Sequence, residues 1–120
     1  MAYDPAFGDW VRDHLHGLGP IEIRPMFGGA GVKFDGAMFA ILDDGVLWLK
    51  AGEALARDLQ AEGARQFTYQ TKDGRQMGMA YWSLPERAHD DPDEAVGWAR
   101  RSIAVAAAKA AARPNRRTKS

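Results

Sequence analysis

The sequence predicts an α+β fold in two layers, with helices packed on an antiparallel five-stranded sheet. Short apolar and aromatic runs are separated by turn signals such as Asp35-Gly36 and Asp44-Gly45, a pattern typical of hairpins. Segments with apolar residues at helical spacing lie before, between and after these runs. A chain of 120 residues can form a single hydrophobic core. The predicted order of elements is α-β-β-β-α-β-β-α, with hairpins rather than crossovers between most strands.

The first helix is predicted over residues 5–17. Pro5 suits the first helical position because that position needs no N–H donor, and Asp4 before it can act as the N-cap acceptor. Apolar residues then recur every three or four positions, at Phe7, Val11, Leu15 and Leu18. Two glycines and a proline over residues 17–20 favour the end of the helix.

Three strands are predicted between residues 30 and 51, in the runs AGVKFDG, AMFAILDDG and VLWLKAG. The Asp-Gly pairs between them suit type I′ turns, whose two central residues both need positive φ. The preceding segment IEIRPMF is expected to add a short extended piece. Since Pro25 cannot donate a ladder hydrogen bond, this segment is not counted as a central strand.

The second half of the chain predicts a helix, a hairpin and a long final helix. The first of these covers residues 53–62, and QFTYQT and QMGMAYWSL then flank the turn residues 72–75. The final helix begins with Asp91 as N-cap and Pro92 at the first position. Glu94 stands three residues after the cap, as in a capping box. This helix is predicted to run to about residue 111.

The predicted domain covers residues 1–112 and is followed by a basic, flexible tail over residues 113–120. The whole chain has a formal net charge of zero, but the tail carries four cations and no acidic residue. Residues 1–112 therefore carry about −4, a charge that disfavours non-specific binding to nucleic acid. The tail cations are Arg113, Arg116, Arg117 and Lys119.

The cellular compartment of the protein can be inferred from its cysteine content and its hydropathy. The chain has no cysteine, which excludes disulfides, thiolate metal sites and cysteine nucleophiles and fits a cytoplasmic protein. No basic leader precedes an apolar run, and no window approaches the roughly 18 apolar residues of a membrane span. The sequence predicts a cytoplasmic protein that does not interact with a membrane.

The segment RPMFGGAGVKFDG over residues 24–36 is open to two interpretations, a phosphate cradle or a bend in the chain. A Walker loop needs Ser or Thr after its lysine and then a helix, whereas Lys33 is followed by Phe34 in a strand pattern. Phe34 also stands where the third glycine of a dinucleotide fingerprint belongs. The second interpretation is favoured, in which the glycines let the backbone bend or approach another strand closely. Arg24 and Lys33 are the candidates there for contact with a partner or an anion. The structural motif comprises Met26, Phe27, Gly28, Gly29 and Gly31.

No constellation for catalysis or for a metal site is found. His14 and His16 are two residues apart on a predicted helix, so they point to different faces. His89 stands beside two aspartates, either in a solvated turn or in a weak metal site. Ser83 and Ser102 lack the surroundings of a nucleophile elbow. The sequence therefore predicts no enzymatic activity, no metal and no cofactor.

Two alternatives to a protein-docking role are kept open. A small ligand or anion could bind the glycine-rich segment. Nucleic acid could bind aromatic residues on the strands, such as Trp48, Phe67 and Tyr81, although such residues more often form the core of a sheet. It could also bind the end of the last helix together with the tail. That basic surface comprises Arg100, Arg101, Lys109, Arg113, Arg116, Arg117 and Lys119.

Three stretches of the sequence resemble the N-terminal domain of the TfoX/Sxy family, the bacterial regulators of natural transformation. They are RPMFGGAGVKFDGAMFAILDDGVLWLKA, FTYQTKDGRQMGMAYWSLPE and DDPDEAVGWAR, and the resemblance as a whole covers roughly residues 5–110. The most specific parts are Met26-Phe27-Gly28-Gly29, Trp48-Leu49-Lys50, Met79-Ala80-Tyr81-Trp82 followed by Pro85, and the helix start Asp91-Pro92.

This resemblance implies a secretion-chaperone-like fold with the same order of elements. It also implies a non-enzymatic role, because the family's regulators are regarded as coactivators that act with the cyclic-AMP receptor protein at competence promoters. Full-length regulators continue into a second, helical domain where this chain has its basic tail, so a stand-alone form is expected. The expected function is a regulatory module for transcription or competence that docks to a protein partner in transcription or to a second copy of itself.

Overall fold

The computed structural model describes residues 4–26 and 28–112, so Phe27 and the predicted tail lie outside the described residues. Three α-helices and six strands are found in these ranges, together with 3₁₀ turns at His16–Leu18 and Glu86–His89. The elements are α1 (Pro5–His14), β1 (Glu22–Met26), β2 (Gly29–Phe34), β3 (Ala37–Asp43), β4 (Val46–Lys50), α2 (Glu53–Ala61), β5 (Gln66–Gln70), β6 (Gln76–Ser83) and α3 (Pro92–Ala112). The predicted α+β class is confirmed.

The strands form one antiparallel sheet in the order β1-β2-β3-β4-β6-β5. The predicted number of five strands is wrong, because Glu22–Met26 pairs with β2 along its whole length and makes a sixth strand. Pro25 can be accommodated because β1 lies at the edge of the sheet, where every second N–H points away from the neighbouring strand and makes no ladder bond. The prediction that this segment is not a central strand is confirmed.

Two tight turns connect β2 to β3 and β3 to β4, as the Asp-Gly pairs predict. Asp35 and Gly36 have φ values of 53° and 83°, and Asp44 and Gly45 have 54° and 73°. Positive φ at both central positions is the signature of a type I′ turn, whose twist matches that of the flanking strands. These turns fix the register of β2, β3 and β4.

The helices cover only one face of the sheet. Ala30 pairs with Leu42 and Leu42 with Leu47, and directly opposed residues share a face. These side chains belong to the buried core together with residues of α1 and α3. Helix α2 packs on the same face, because Trp82 contacts its apolar side and pairs with the buried Leu49. In the part of the chain that the structure describes, the opposite face has no helix on it, and we call it the helix-free face.

The helix ends differ in detail from the predictions. Helix α1 stops at His14 rather than residue 17, and the chain tightens into the 3₁₀ turn that follows. Asp91 caps α3, its Oδ1 accepting from the backbone N–H groups of Asp93 and Glu94 at 3.1 and 3.3 Å. The Glu94 carboxylate accepts from Arg87 and Trp98 rather than closing a capping box. No helix among the described residues is both long and apolar enough to cross a membrane.

Candidate functional site

The glycines of the 24–36 segment stand where a side chain would not fit or would be strained. Gly28 has a φ of 82°, in the left-handed region that favours glycine. A Cβ on Gly29 would overlap the carbonyl oxygen of Leu42. A Cβ on Gly31 would lie 2.6 Å from the sulfur of Met38 and 3.4 Å from that of Met26. The glycines therefore allow two strands to approach closely and leave space that methionine side chains fill.

The positions of these residues follow from the strand register. Met26 pairs with Gly29, and Gly31 pairs with Ile41 on its other side. Ile41 in turn pairs with Trp48. Gly31 and Ile41 alternate with core residues along their strands. The row formed by Gly31, Ile41 and Trp48 therefore lies on the helix-free face. The glycine-rich segment is thus part of the sheet surface that the helices leave uncovered.

An apolar cleft of about 260 Å³ opens on this surface. Met26 and Met79 are the large apolar side chains that it exposes most, at 37% and 36% of their maximal accessible area. Methionine is flexible and polarisable, and it is common on surfaces that adapt to a binding partner. The cleft is lined by Met26, Gly29, Ala30, Met38, Ile41, Leu42, Asp43, Phe67, Met79 and Tyr81.

One end of the cleft is acidic. Asp43 is part of its lining, and a smaller hollow of about 40 Å³ beside it shares Gly29, Leu42 and Asp43 and adds Asp4 and Asp44. Among the ion pairs within the described ranges, none involves these three aspartates. Asp4 uses one oxygen to cap α1 through the N–H of Ala6. The carboxylates therefore give this end a negative charge that no described cation neutralises at ion-pair distance.

The aromatic residues beside the cleft pack on one another. Trp48 and Phe67 meet edge to face with ring centroids 4.9 Å apart, and Arg65 lies over Trp48 at 5.5 Å. Lys50 lies over Tyr81 at 5.6 Å from its ring centroid. Trp48 and Tyr81 each expose only 7% of their area, and burial raises the pKa of the Tyr81 hydroxyl. Because these two rings are covered, they do not form an open platform for stacking bases.

The two candidate anion contacts share one acidic neighbour. Arg24 Nε donates to the Glu22 carboxylate at 2.5 Å, and Glu22 pairs with Lys33 across β1 and β2. The Arg24 hydrogen bond, followed by its charge, lowers the pKa of Glu22, and the charge of Lys33 lowers it further. A carboxylate between the two cations reduces their attraction for a second anion. The hypothesis of an anion site at Arg24 and Lys33 gains no support from this arrangement.

The basic residues of α3 are also partly engaged. Arg100 Nη2 donates to the carbonyl of Gly17 at 3.2 Å. Arg101 Nη2 lies 2.7 Å from the Asp58 carboxylate, and its guanidinium stacks over Trp98. Lys109 is exposed. The other predicted nucleic-acid contacts, Arg113, Arg116, Arg117 and Lys119, lie outside the described residues.

Two of the histidines that were considered for metal binding make structural hydrogen bonds. His14 is buried, its Nε2 lies 2.6 Å from the carbonyl oxygen of Ala88, and its ring stacks on Trp10. His89 Nδ1 lies 3.1 Å from the carbonyl oxygen of Glu86. Within residues 4–26 and 28–112, no three His, Cys, Asp or Glu side chains are placed to hold a metal ion.

The sequence analysis singled out several cleft residues for other reasons but did not bring them together. Met26 and Gly29 came from the glycine-rich motif and Phe67 and Tyr81 from the aromatic strands, whereas Met38 and Ile41 were assigned only to a strand. The sequence does contain a signal for this surface. Met38 precedes a run that is apolar at nearly every position, and such a run is typical of a strand with two apolar faces.

The sequence profile of the TfoX N-terminal domain matches residues 13–106. The chain belongs to the TfoX N-terminal domain family. Every residue that lines the cleft falls within the matched range. The cleft is therefore built by the TfoX N-terminal domain itself and not by flanking sequence.

This TfoX N-terminal domain chain is also similar to a curated protein. Protein Sxy of Escherichia coli (strain K12) is 33% identical over 75 residues. The match covers 62% of this chain and 35% of Protein Sxy. The chain thus corresponds to about a third of the length of that relative.

Proposed function

We propose that this TfoX N-terminal domain protein is a non-enzymatic regulatory module that acts in the cytoplasm by docking to a protein of the transcription machinery. Competence for DNA uptake is the process in which we expect it to act. The observation that carries the proposal is membership of the TfoX N-terminal domain family, together with the similarity to Protein Sxy. A component that works with the cyclic-AMP receptor protein is the partner that this relationship favours.

The helix-free face supports a docking role over catalysis. Its cleft is lined almost entirely by apolar residues, and Asp43 and Tyr81 are the lining residues with polar groups in their side chains. Enzyme sites need several convergent polar groups with suitable pKa values near the reacting atoms. A surface of exposed methionines beside rigid aromatic residues is instead typical of protein contacts.

A gene deletion in the native bacterium, complemented with the full chain, tests the proposal. We expect the deletion to lower transformation frequency or the level of transcripts that depend on the cyclic-AMP receptor protein. The tagged full chain should also recover a transcription protein from the same cells. Unchanged transformation and transcription, with no transcription protein recovered, would exclude the regulatory role.

A further inference from the structure

We propose that the cleft on the helix-free face binds a peptide segment of a partner protein, in which one bulky apolar side chain is flanked by Lys or Arg. The apolar side chain enters between Met26, Met38 and Met79, and a cation meets Asp43 and Asp44 at the acidic end. This proposal rests on the proposed function, because it names the chemistry of the partner that docks.

The size of the cleft suits a single anchoring side chain. A cavity of roughly 150 Å³ is enough for a benzene ring, and sites for drug-sized ligands start at about 300 Å³. The cleft, at about 260 Å³, lies between these limits and is open on one side. It therefore accommodates a Phe, Trp, Leu or Met side chain whose backbone stays at the surface.

The walls of the cleft can adjust to such a side chain. Gly29 and Gly31 contribute no side-chain bulk, and the Met38 and Met26 sulfurs lie over the space above Gly31. Methionine has several rotatable bonds, so these side chains can move aside and then pack against an incoming group. Behind them, the packed pair of Trp48 and Phe67 gives a rigid support.

The charge at one end selects the neighbours of the anchor. Asp43 lines the cleft and Asp44 lines the adjoining hollow, and no ion pair of the described residues uses either carboxylate. A Lys or Arg next to the anchor gains an attraction there, whereas an acidic residue is repelled. At this end of the cleft, charge complementarity therefore favours a basic apolar segment over an acidic one, whereas Arg65 and Lys50 lie over Trp48 and Tyr81 beside the cleft.

Four blocked pentapeptides provide the probe. Each has Phe or Ser at its centre and Arg or Glu on both sides of it, and each is titrated into the full chain carrying ¹³C-labelled methyl groups on its methionine, valine and leucine residues. We expect the Phe peptide with Arg neighbours to shift the methyl signals of Met26, Met38 and Met79, with a Kd of roughly 0.1 to 1 mM. The signals of core residues Val11 and Leu15 should not move.

Two variants with matched controls test the residues. Met79→Gln should weaken binding of the Phe-Arg peptide at least about tenfold, because it puts an uncharged polar group in the apolar mouth without adding an attraction for Arg. Its control is Ala107→Gln on the exposed side of α3. Asp43→Asn should weaken binding of the same peptide roughly threefold and strengthen binding of the Phe-Glu peptide slightly, because it removes one attraction for Arg and one repulsion of Glu. Its control is Asp90→Asn, at an exposed position away from the cleft.

Several outcomes would overturn the proposal. They are equal binding of all four peptides, no methyl shift at 5 mM peptide (about five times the weakest expected Kd), and shifts outside the cleft only. Phenethylamine binding as tightly as the Phe-Arg peptide would indicate a small-amine site. Methyl shifts that follow dilution of the protein alone would indicate that a second copy occupies the cleft. If Met79→Gln fails to fold, the Asp43→Asn comparison still decides the question.

The test separates this inference from the proposed function. Peptide binding in vitro without any transcription phenotype in the deletion strain would contradict the regulatory role and leave the docking site in place. A deletion phenotype that folded Met79→Gln rescues as well as the wild-type chain would contradict the docking site and leave the regulatory role in place.

Discussion

The sulfur of Met38 lies where a side chain on Gly31 would begin, since a Cβ added to Gly31 would be 2.6 Å from it. Gly29, two residues earlier on the same strand, faces a different neighbour, the backbone carbonyl of Leu42. A methionine side chain can rotate away, but the carbonyl of a paired strand cannot move without disturbing the sheet. The two glycines should therefore differ in what they contribute to stability.

Gly29→Ala should lower the free energy of unfolding by about 3 kcal/mol, because overpacking against backbone forces β2 and β3 apart. Gly31→Ala should cost less than about 1 kcal/mol, since Met38 can change rotamer and the unfolded chain loses entropy. Urea unfolding of both variants and the wild type gives the comparison. Equal losses for the two substitutions would show that the close approach at Gly29 is not the determining contact.

The elements that were predicted correctly from the sequence are those whose conformation is determined by a few neighbouring residues. The turns at Asp35-Gly36 and Asp44-Gly45 depend on two residues with positive φ, and the start of α3 depends on Asp91 and Pro92. The strand count was wrong because Pro25 was judged by its missing donor alone. Whether that donor is needed depends on a strand's position in the sheet, which is a property of the whole fold.

The candidate site could be predicted only in part for a similar reason. Met26 and Gly29 lie in one conspicuous segment, but Met38 and Met79 come from strands far apart in the sequence. The pairing of β4 with β6, across α2 and β5, brings Met79 to the same face. A pattern of residue types does not specify that non-local pairing.

Ser102 connects α3 to the sheet and should be important for stability. Its buried hydroxyl shares one proton between the carbonyl oxygens of Phe39 and Lys50, each 2.7 Å away. Phe39 lies at the register shift between β2 and β3, where it has no partner on β2. Ser102→Ala leaves both carbonyls without this donor and should cost about 2 kcal/mol in urea unfolding, with an unchanged m value. Ser102→Cys, which keeps a weak donor, should cost less. A loss below about 0.5 kcal/mol for Ser102→Ala would contradict this role.

Arg87 links the end of α2 to the start of α3 through two carboxylates. Its Nη2 lies 3.3 Å from Glu62 and 2.9 Å from Glu94, and the two glutamate side chains are only 31% and 28% exposed. Arg87→Met should lower the free energy of unfolding by about 1 kcal/mol at low salt, and less in 1 M salt. Arg57→Met is the control, because the Arg57 pair with Glu53 spans 3.8 Å between exposed side chains. If both variants lose the same small amount of unfolding free energy, the Arg87 ion pairs make no special contribution to stability.

Glu22 should retain its charge at a pH where an ordinary glutamate is protonated. The hydrogen bond and charge of Arg24 hold the pKa of Glu22 below its usual value of 4.5, and Lys33 lowers it less. Because the pKa is lower in the folded state, the stabilisation is complete above pH 4.5 and is lost as pH falls through the folded value. Carboxyl NMR titration should show Arg24→Gln raising this pKa more than Lys33→Gln does. The pKa of Asp73, lowered mainly by the hydroxyl of Thr71, should not change in either variant. An unaltered Glu22 pKa in Arg24→Gln would contradict the assignment of Arg24 as the main cause.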